Sequence, residues 1–514
     1  VHEDRQAKGP SALAYRSLPV RHWDRWLPAI RAHLLAFDAQ GGSRVDLTPE
    51  VDRELREAAF AVTPDGRAVV TTWRAVGPDG IESASLCRFD LEQGTRSTLA
   101  TARCESYGRP ALSPDGAWVA ALCERRHRDR APTVEPHLVP LEGGSVRTLA
   151  LGEPLHPREL LFGADAETLV LAAEAGWHAP VFLLGIETGE LVRVTAPSAG
   201  GSHEGLRLAP DDAVVYGIRH GTFAPPEPFA CRLAAEEVPR SLGGLSGFES
   251  TPASRAAAPV RFERLQVRVR DGTPVEVGLL LPGGTGPHPL VTWVHGGPLS
   301  AWRDGWHWRW NPLVFVAQGY AVALPNPAGS TGYGAAMADR IWGNVWGEAC
   351  FHDLMDVQDA LEARPEIDAR RTGVMGGSFG GYMANWIGTQ TDRFRCIVTH
   401  ASLFDLRAFY GRTDHPAWFA LEMGGVPWAL GESFDRYAPA AHVEGWRTPT
   451  LILHGERDYR VPVGEGLALF SALVTLGVEA ELVVYPDENH WIRRPRNIED
   501  WYGRCLDFLR RHLG

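Results

Sequence analysis

The segment TGVMGGSFGGYM, residues 372–383, contains the pattern that decides the fold of the C-terminal half of the chain. An apolar strand runs directly into G-G-S-F-G at residues 376–380, and a stretch of helix length follows. A G-x-S-x-G sequence between a strand and a helix is typical of a sharp turn that exposes a serine hydroxyl. Gly376 and Gly380 lack the Cβ atoms that would clash in such a turn. The pattern therefore predicts Ser378 as a nucleophile at the carboxyl end of a buried strand.

Two later strands are followed by the partners that such a serine requires. A serine hydroxyl is activated by a base, which an acid orients. Asp458 lies in LILHGERDYRVP, just beyond an apolar strand, and His490 lies in VVYPDENHWI, beyond the next one. Aspartate before histidine is the order in which these partners follow this kind of turn. Glu456, which is nearer the strand, is the alternative acid, and His454 is interpreted as structural.

Backbone N–H groups near the serine are expected to stabilise negative charge on a reacting carbonyl oxygen. One belongs to Phe379, at the start of a helix whose dipole favours an anion. The other is assigned to Gly297, in the loop HGGP at residues 295–298 that follows the strand LVTWV. Glycines in that loop let the backbone approach a substrate closely. The sequence therefore predicts an oxyanion hole formed by Gly297 and Phe379.

Side chains near the predicted acid are candidates for the wall of a substrate pocket, because they fall where a cap or wall would lie in the chain order. These candidates are Tyr410, Trp418, Phe419 and Val461. An earlier group of tryptophans is interpreted as packing, since tryptophan buries a large area. That group is Trp302, Trp306, Trp308 and Trp310.

Apolar strands alternate with stretches of helix length in the C-terminal half. The strands are LVTWVHGG, YAVALPNP, GVMGGS, CIVTHA, TLILHG and ELVVYP. This alternation predicts a doubly wound, mostly parallel sheet over residues 256–514, with reactive groups at the carboxyl ends of its strands. The small, turn-rich segment at residues 243–259 is predicted to be a linker.

The N-terminal half repeats a strand–turn–strand motif about every 50 residues. Its turns are TPDG at 63–66, SPDG at 113–116, GADA at 163–166 and APDD at 209–212. A second hairpin recurs between them, so each period holds four short strands, as in a propeller blade. We therefore predict an all-β propeller over residues 1–255 with about five countable blades. The hairpin at 34–47 has no preceding Pro-Asp-Gly pair, which indicates an incomplete first blade and an N-terminally truncated propeller.

Composition excludes several classes of protein. The 514 residues carry a formal net charge of −12, and Lys8 is the only lysine, which argues against a nucleic-acid partner. No apolar run approaches the length of a membrane span. Neither H-E-x-x-H nor another His/Asp cluster with metal-ligand spacing occurs, so we expect no metal and no cofactor. Seven scattered cysteines and the lack of a signal-peptide core favour the cytoplasm, although a leader upstream of Val1 stays open.

A propeller followed by HGGP, GGSFGGYM, HGERDYRVP and DENHW resembles the prolyl oligopeptidase family of serine peptidases, in its acylaminoacyl peptidase and dipeptidyl peptidase-like branch. The resemblance implies an α/β-hydrolase domain and a propeller that caps the active site and admits only short or unstructured peptides. It assigns the triad to Ser378, Asp458 and His490. Ala328 stands where the family often has an arginine, and Glu236-Glu237 is a weak match to the paired glutamates that bind a free amine.

The resulting hypothesis is a serine peptidase that hydrolyses short peptides through an acyl-enzyme and releases acylaminoacyl or dipeptidyl units from their N-termini. One alternative is an esterase or amidase for a small aminoacylated metabolite or antibiotic. Another is a non-catalytic protein that uses its propeller as an interaction platform. The expected partner is a short peptide or a small amide or ester, with no membrane involved, and a homo-oligomer is left open.

Overall fold

The computed structural model describes residues 12–27, 31–37, 42, 44–77, 80–152, 154–209, 213–251, 254 and 259–514. Within these residues, antiparallel sheets make up the N-terminal half, and a mixed sheet covered by helices makes up the C-terminal half. The arrangement agrees with the predicted fold class. The boundary predicted between residues 255 and 256 lies outside the described residues and stays a prediction.

The N-terminal half consists of short antiparallel strands. Two hairpins come first, β1 (Arg21–His22) with β2 (Arg25–Trp26) and β3 (Leu35–Phe37) with β4 (Arg44–Asp46). Four meanders of four strands follow: β5 (Phe60–Val62), β6 (Ala68–Val76), β7 (Glu82–Asp90) and β8 (Arg96–Ala100); β9 (Glu105–Leu112), β10 (Trp118–Arg125), β11 (Thr133–Pro140) and β12 (Arg147–Thr148); β13 (His156–Phe162), β14 (Thr168–Glu174), β15 (Val181–Gly185) and β16 (Leu191–Arg193); β17 (Ser202–Leu208), β18 (Val214–Gly221), β19 (Ala224–Arg232) and β20 (Arg240–Ser241). The first two meanders are joined into one eight-stranded sheet by a short parallel pairing of β7 with β9. The predicted count of about five blades stays a prediction.

The repeated turns join the first two strands of these meanders. Asp65 and Asp115 each accept hydrogen bonds from a hydroxyl two residues earlier and a backbone N–H two residues later. Gly66 adopts φ 70°, and Ala166 takes the same left-handed conformation, φ 57°, in the third copy. The motif is therefore kept by its aspartate even where glycine is absent. The fourth copy, at residues 210–212, lies outside the described residues.

Successive meanders pack face to face, as blades do. Val119 and Ala121 on one face of β10 lie in an apolar cluster with Leu86 of the first meander. Ala120, on the other face, lies in a second cluster with Leu169 of the third. Because β10 is covered on both faces, its central residues are apolar without alternation.

Eight strands form the sheet of the C-terminal half: β21 (Arg261–Arg268), β22 (Pro274–Leu281), β23 (His288–Val294), β24 (Ala321–Asn326), β25 (Ile367–Gly377), β26 (Cys396–His400), β27 (Thr450–Gly455) and β28 (Ala480–Tyr485). Their order across the sheet is β21-β22-β24-β23-β25-β26-β27-β28. The pairs from β24 to β28 are all parallel, while β22 is antiparallel to both of its neighbours. All six strands predicted from the sequence are present.

Helices cover both faces of this sheet: α1 (Pro312–Val316), α2 (Ala335–Asp339), α3 (Ala349–Glu362), α4 (Phe379–Gln390), α5 (Leu406–Arg412), α6 (Pro416–Met423), α7 (Pro427–Leu430), α8 (Gly464–Thr475) and α9 (Pro495–Leu513). One apolar cluster joins α3, α4 and α8 through Leu354, Tyr382 and Leu469. The other joins α1 and α9 through Phe315 and Phe508 on the opposite face. Among the described residues, no helix has the length and apolarity needed to cross a membrane.

The loop after β23 is held against the last two meanders. The Asp304 carboxylate accepts hydrogen bonds from the backbone N–H groups of Gly201 at 2.6 Å and Thr222 at 2.8 Å. The buried Glu174, on β14, pairs with Arg303 in the same loop. These contacts position the loop over the carboxyl end of the sheet, where reactive groups of such folds lie.

Candidate active site

The turn after β25 holds Ser378 with φ 60° and ψ −123°, immediately before α4. A Cβ on Gly376 would lie 2.3 Å from the carbonyl oxygen of Gly380, and one on Gly380 would lie 2.2 Å from that of Val294. No side chain can approach the backbone so closely, so glycine is required at both positions. The local sequence therefore forms a tight turn with its strain at Ser378, as expected for an exposed nucleophile.

The loops after β27 and β28 bring the predicted acid and base together. Asp458 and His490 are both buried, and His490 Nδ1 lies 2.7 Å from Asp458 Oδ2. The other carboxylate oxygen, Oδ1, accepts a hydrogen bond from the backbone N–H of Val461 at 2.8 Å. Since the carboxylate can only accept, the imidazole donates from Nδ1 and carries a lone pair on Nε2. The pair is thus arranged as an oriented general base.

The alternative acid does not contact this base. Glu456 is exposed, whereas Asp458 is buried against the imidazole. His454 is also buried, and its Nε2 lies 2.7 Å from the carbonyl oxygen of Val461. It therefore supports the loop that carries Asp458, as its structural interpretation predicted.

A cavity of about 440 Å³ contains the remaining predicted groups. Ser378 and His490 line it together with Gly297 and Phe379. Gly297 has φ 136°, and a Cβ there would lie 2.8 Å from the backbone nitrogen of Leu299, so the loop requires glycine. The structure thus gathers the predicted nucleophile, the predicted base and both predicted N–H donors around one space large enough for part of a peptide.

The structure brings only two of the four predicted pocket residues to this cavity. Trp418 and Val461 line it, whereas Phe419 is fully buried in the core and Tyr410 points to a tryptophan of α7. Successive helical residues are about 100° apart. Phe409, the neighbour of Tyr410, therefore takes the cavity position on α5. The position of these residues between the two motifs indicates the right helices but not which face of each helix points to the cavity.

Other aromatic side chains line the cavity without having been predicted from the sequence. Trp302 and Trp310, which were assigned to packing, both line the cavity, as does Trp346. Trp308 of the same run is 63% exposed. The close spacing of these tryptophans was the available signal, but spacing within a loop does not indicate which of its side chains face inward.

The sequence model of the prolyl oligopeptidase family matches residues 306–514. Dipeptidyl-peptidase 5 of Aspergillus fumigatus is 37% identical over an alignment that covers 98% of this chain and 74% of that protein. The chain belongs to the prolyl oligopeptidase family. Dipeptidyl-peptidase 5 of Porphyromonas endodontalis is also similar, at 26% identity over 98% of this chain and 74% of its own.

Solved structures show the same fold. Acylaminoacyl peptidase of Pyrococcus horikoshii superposes with a TM-score of 0.81 at 18% identity, covering 98% of this chain and 78% of its own. A puromycin hydrolase superposes with a TM-score of 0.71 at 22% identity, covering 91% of this chain and 70% of its own. These structures show the fold, a propeller followed by an α/β-hydrolase domain. The family match makes the protein a serine peptidase of the prolyl oligopeptidase family.

An N-terminal hairpin of this family member reaches the candidate active site. Trp23, between β1 and β2, lines the cavity, and its ring meets that of His490 edge-on at 5.4 Å between centroids. Its backbone N–H donates to Asp414 Oδ2 at 2.6 Å, and its carbonyl accepts from the N–H of Tyr459 at 2.9 Å. Trp23 has φ 59°, a conformation that these contacts hold in place. No motif signalled this residue, because its partners lie almost a full chain length away.

Replacing Trp23 with alanine is expected to lower kcat/KM about 2- to 10-fold, because an aromatic contact with the imidazole and part of the cavity wall are lost. The hydrolase core lies elsewhere, so the protein should remain folded. Steady-state kinetics on a short chromogenic peptide tests this. Trp428→Ala, which removes a 77% exposed tryptophan outside the cavity, is the matched control. Equal effects of the two substitutions would contradict a role for the hairpin.

A larger cavity of about 690 Å³ lies between the two halves of the peptidase and adjoins the first. The two cavities share Gly297, Leu299 and Trp418 in their walls. Glu124 and His156, from the second and third meanders, line the far side. The propeller therefore forms part of the wall of the space that adjoins the candidate site.

The candidate amine-binding glutamates lie outside both cavities. Glu237 pairs with Arg232 at 2.6 Å near β19, and Glu236 lines neither space. Their adjacency in sequence suggests the pair, but the backbone of Glu237 forms an isolated bridge with that of Thr195, after the third meander. Ala328, where the family often has an arginine, is buried in the core beneath α3 and α4.

Proposed function

We propose that this peptidase releases dipeptides or N-acylated amino acids from the N-termini of short peptides, with Ser378 as nucleophile, His490 as base and Asp458 as its orienting acid. The observation that carries the proposal is the 2.7 Å contact between Asp458 and His490 beside a serine held in a strained turn. The names of the relatives, dipeptidyl-peptidase 5 and acylaminoacyl peptidase, support the choice of released unit.

In the acylation step, Ser378 Oγ attacks the carbonyl carbon of the scissile bond, and His490 Nε2 accepts the hydroxyl proton. The carbonyl oxygen becomes an oxyanion, which accepts hydrogen bonds from the N–H groups of Gly297 and Phe379. Asp458 stabilises the imidazolium through Nδ1. The imidazolium then donates its proton to the departing amine, the C–N bond breaks, and an ester to Ser378 remains.

Deacylation repeats these steps with water as the attacking group. His490 accepts a proton from the water while the water oxygen attacks the ester carbonyl, and the same two N–H groups bind the oxyanion. Collapse of the intermediate expels Ser378 Oγ, which regains its proton from His490. The products are the released acyl unit as a carboxylic acid and the regenerated hydroxyl.

A panel of coumarin amides distinguishes between the released units. Each substrate has the same residue attached to the coumarin. That residue ends a dipeptide with a free N-terminus in the first, is an N-acetylated amino acid in the second, and ends a longer peptide with a blocked N-terminus in the third. We expect turnover of the first or second class and weak turnover of the third. Failure to hydrolyse any peptide or amide, with rapid hydrolysis of aryl esters, would contradict the peptidase assignment.

The propeller supports a restriction on substrate size. Loops of the last two meanders hold the Arg303 and Asp304 loop over the catalytic edge, and the larger cavity lies between the halves. A folded protein would have to unfold to enter, at a cost of about 5–15 kcal/mol. Short peptides meet no such barrier.

We expect kcat/KM to fall steeply once a peptide is longer than a few tens of residues, because chains below about that length rarely fold alone. The measurement is cleavage of a ladder of peptides that share one scissile sequence. A stable folded protein with that sequence in a surface loop is the control. Equal cleavage of the folded protein and the shortest peptide would rule out gating by the propeller.

We also propose a cytoplasmic location. All seven cysteines are free, and six of them are buried, so the fold uses no disulfide and suits a reducing compartment. The single exposed thiol, Cys104, would be the one to titrate rapidly with a thiol reagent in the native protein.

A further inference from the structure

The wall of the active-site cavity is rich in positive charge. Among the described residues that line it, three are arginines and none is an aspartate or glutamate. Arg303 pairs with Glu174, and Arg460 pairs with Asp414 at 2.7 Å, both through buried carboxylates. Arg309 has no such partner among the described residues. It is therefore the uncompensated charge of the cavity.

Arg309 is held in place by aromatic rings. Its guanidinium carbon lies 4.8 Å from the ring centroid of Trp310 and 4.4 Å from that of Trp491. Its Nη1 is buried without a hydrogen-bond partner among the described residues. Burial, together with repulsion by Arg493, lowers the pKa of Arg309 to about 10, so it stays protonated at neutral pH. An orientated cation with an unpaired buried donor is costly unless an anion binds it.

The two rings beside Arg309 also fix its place relative to the predicted chemistry. The rings of Trp491 and His490 both contact Trp23, at 4.7 and 5.4 Å between centroids, and both line the cavity. Trp310 packs against Gly377, where a Cβ would lie 2.6 Å from its ring, and Gly377 directly precedes Ser378. The base delivers its proton to the departing amine, so the leaving group lies on the side of His490. Arg309 therefore flanks the leaving-group side.

We propose that Arg309 binds a carboxylate of the leaving group, so that the enzyme favours peptides that end one or two residues beyond the scissile bond. The planar guanidinium presents paired N–H donors that match the two oxygens of a carboxylate. This subsite rests on the proposed peptidase function and narrows it to very short substrates. In a longer peptide, a backbone carbonyl, which is neutral and accepts more weakly, would occupy the same position.

Three peptides test the proposal on the wild-type enzyme. All share the N-terminal unit that the coumarin panel favours and a single leaving residue. The first ends as alanine with a free carboxylate, the second as alaninamide, and the third as aspartamide, which carries its carboxylate on the side chain. We expect kcat/KM for the free carboxylate to exceed that for alaninamide by about 10- to 100-fold, the size of a charge-assisted contact.

The third peptide distinguishes the two sources of a carboxylate. Turnover of aspartamide near that of alaninamide supports recognition of the chain terminus. If aspartamide is turned over as fast as the peptide with the free carboxylate, recognition of the chain terminus is overturned in favour of recognition of an acidic side chain. Equal turnover of all three, with the coumarin substrates hydrolysed, would overturn the subsite while leaving the peptidase function intact.

Substitutions test which residue is responsible, with the ratio of acid to amide turnover as the readout so that any loss common to both cancels. We expect Arg309→Met to bring the ratio close to 1 and Arg309→Lys to keep part of it. Arg493→Met, which removes an exposed positive charge beside Arg309, is the matched control and should keep the wild-type ratio. A wild-type ratio in Arg309→Met, or its loss in Arg493→Met, would overturn the assignment.

Discussion

Replacing Ser378 with alanine will lower kcat by about 10³-fold or more, because it removes the nucleophile on which both half-reactions depend. Alanine keeps the Cβ at φ 60° and deletes one oxygen, so the turn and the core should persist. Kinetics on the preferred coumarin amide gives the rate, and thermal unfolding of both proteins checks the fold.

Labelling by a fluorophosphonate identifies the nucleophile independently of the substrate. Intact-mass and peptide mapping should find one adduct, on Ser378, and none in the alanine variant. Ser471→Ala, at an exposed serine of α8, is the matched control and should react like the wild type. An adduct at another residue would contradict the assignment even if the Ser378 variant were inactive.

The second large effect is expected for Asp458→Asn. An amide can donate to the imidazole as well as accept, so it no longer requires a proton on Nδ1 and cannot stabilise the imidazolium. Loss of the correct tautomer costs about 10⁴-fold in kcat in the serine-protease precedent. KM should change little, because Asp458 is buried behind His490 and does not touch the substrate.

Glu456→Gln is the control for that substitution, since it makes the same chemical change two residues away at an exposed position. We expect nearly wild-type turnover. A severe loss in the Glu456 variant with a mild one in Asp458→Asn would reverse the acid assignment, despite the 2.7 Å contact with His490.

The parts predicted well from the sequence are those fixed by local backbone geometry. The tight turn at Ser378 requires glycines at defined positions, and the repeated turns of the propeller require Asp65 and its equivalents. Such requirements act within a few residues and therefore leave a readable pattern. The positions of Asp458 and His490 followed because parallel strands end at one edge of the sheet.

The parts that were missed depend on side-chain direction and on distant contacts. Phe409 and Tyr410 are neighbours of similar type, and only the docking of α5 decides which one faces the cavity. Trp23 meets His490 across the whole fold, and no spacing encodes such a pairing. The adjacent pair Glu236 and Glu237 has suitable chemistry but lines neither cavity.

The wide separation of the cavity residues along the chain also governs when activity can appear during synthesis. The ribosome synthesises Trp23 first and Ser378 next. His490 follows only after β28, the last strand of the sheet. Until β28 joins the sheet, the serine has no proton acceptor. With Ser378 and His490 in their proposed roles, a nascent chain stays inactive until that point, so it cleaves neither its own unfolded segments nor neighbouring nascent polypeptides.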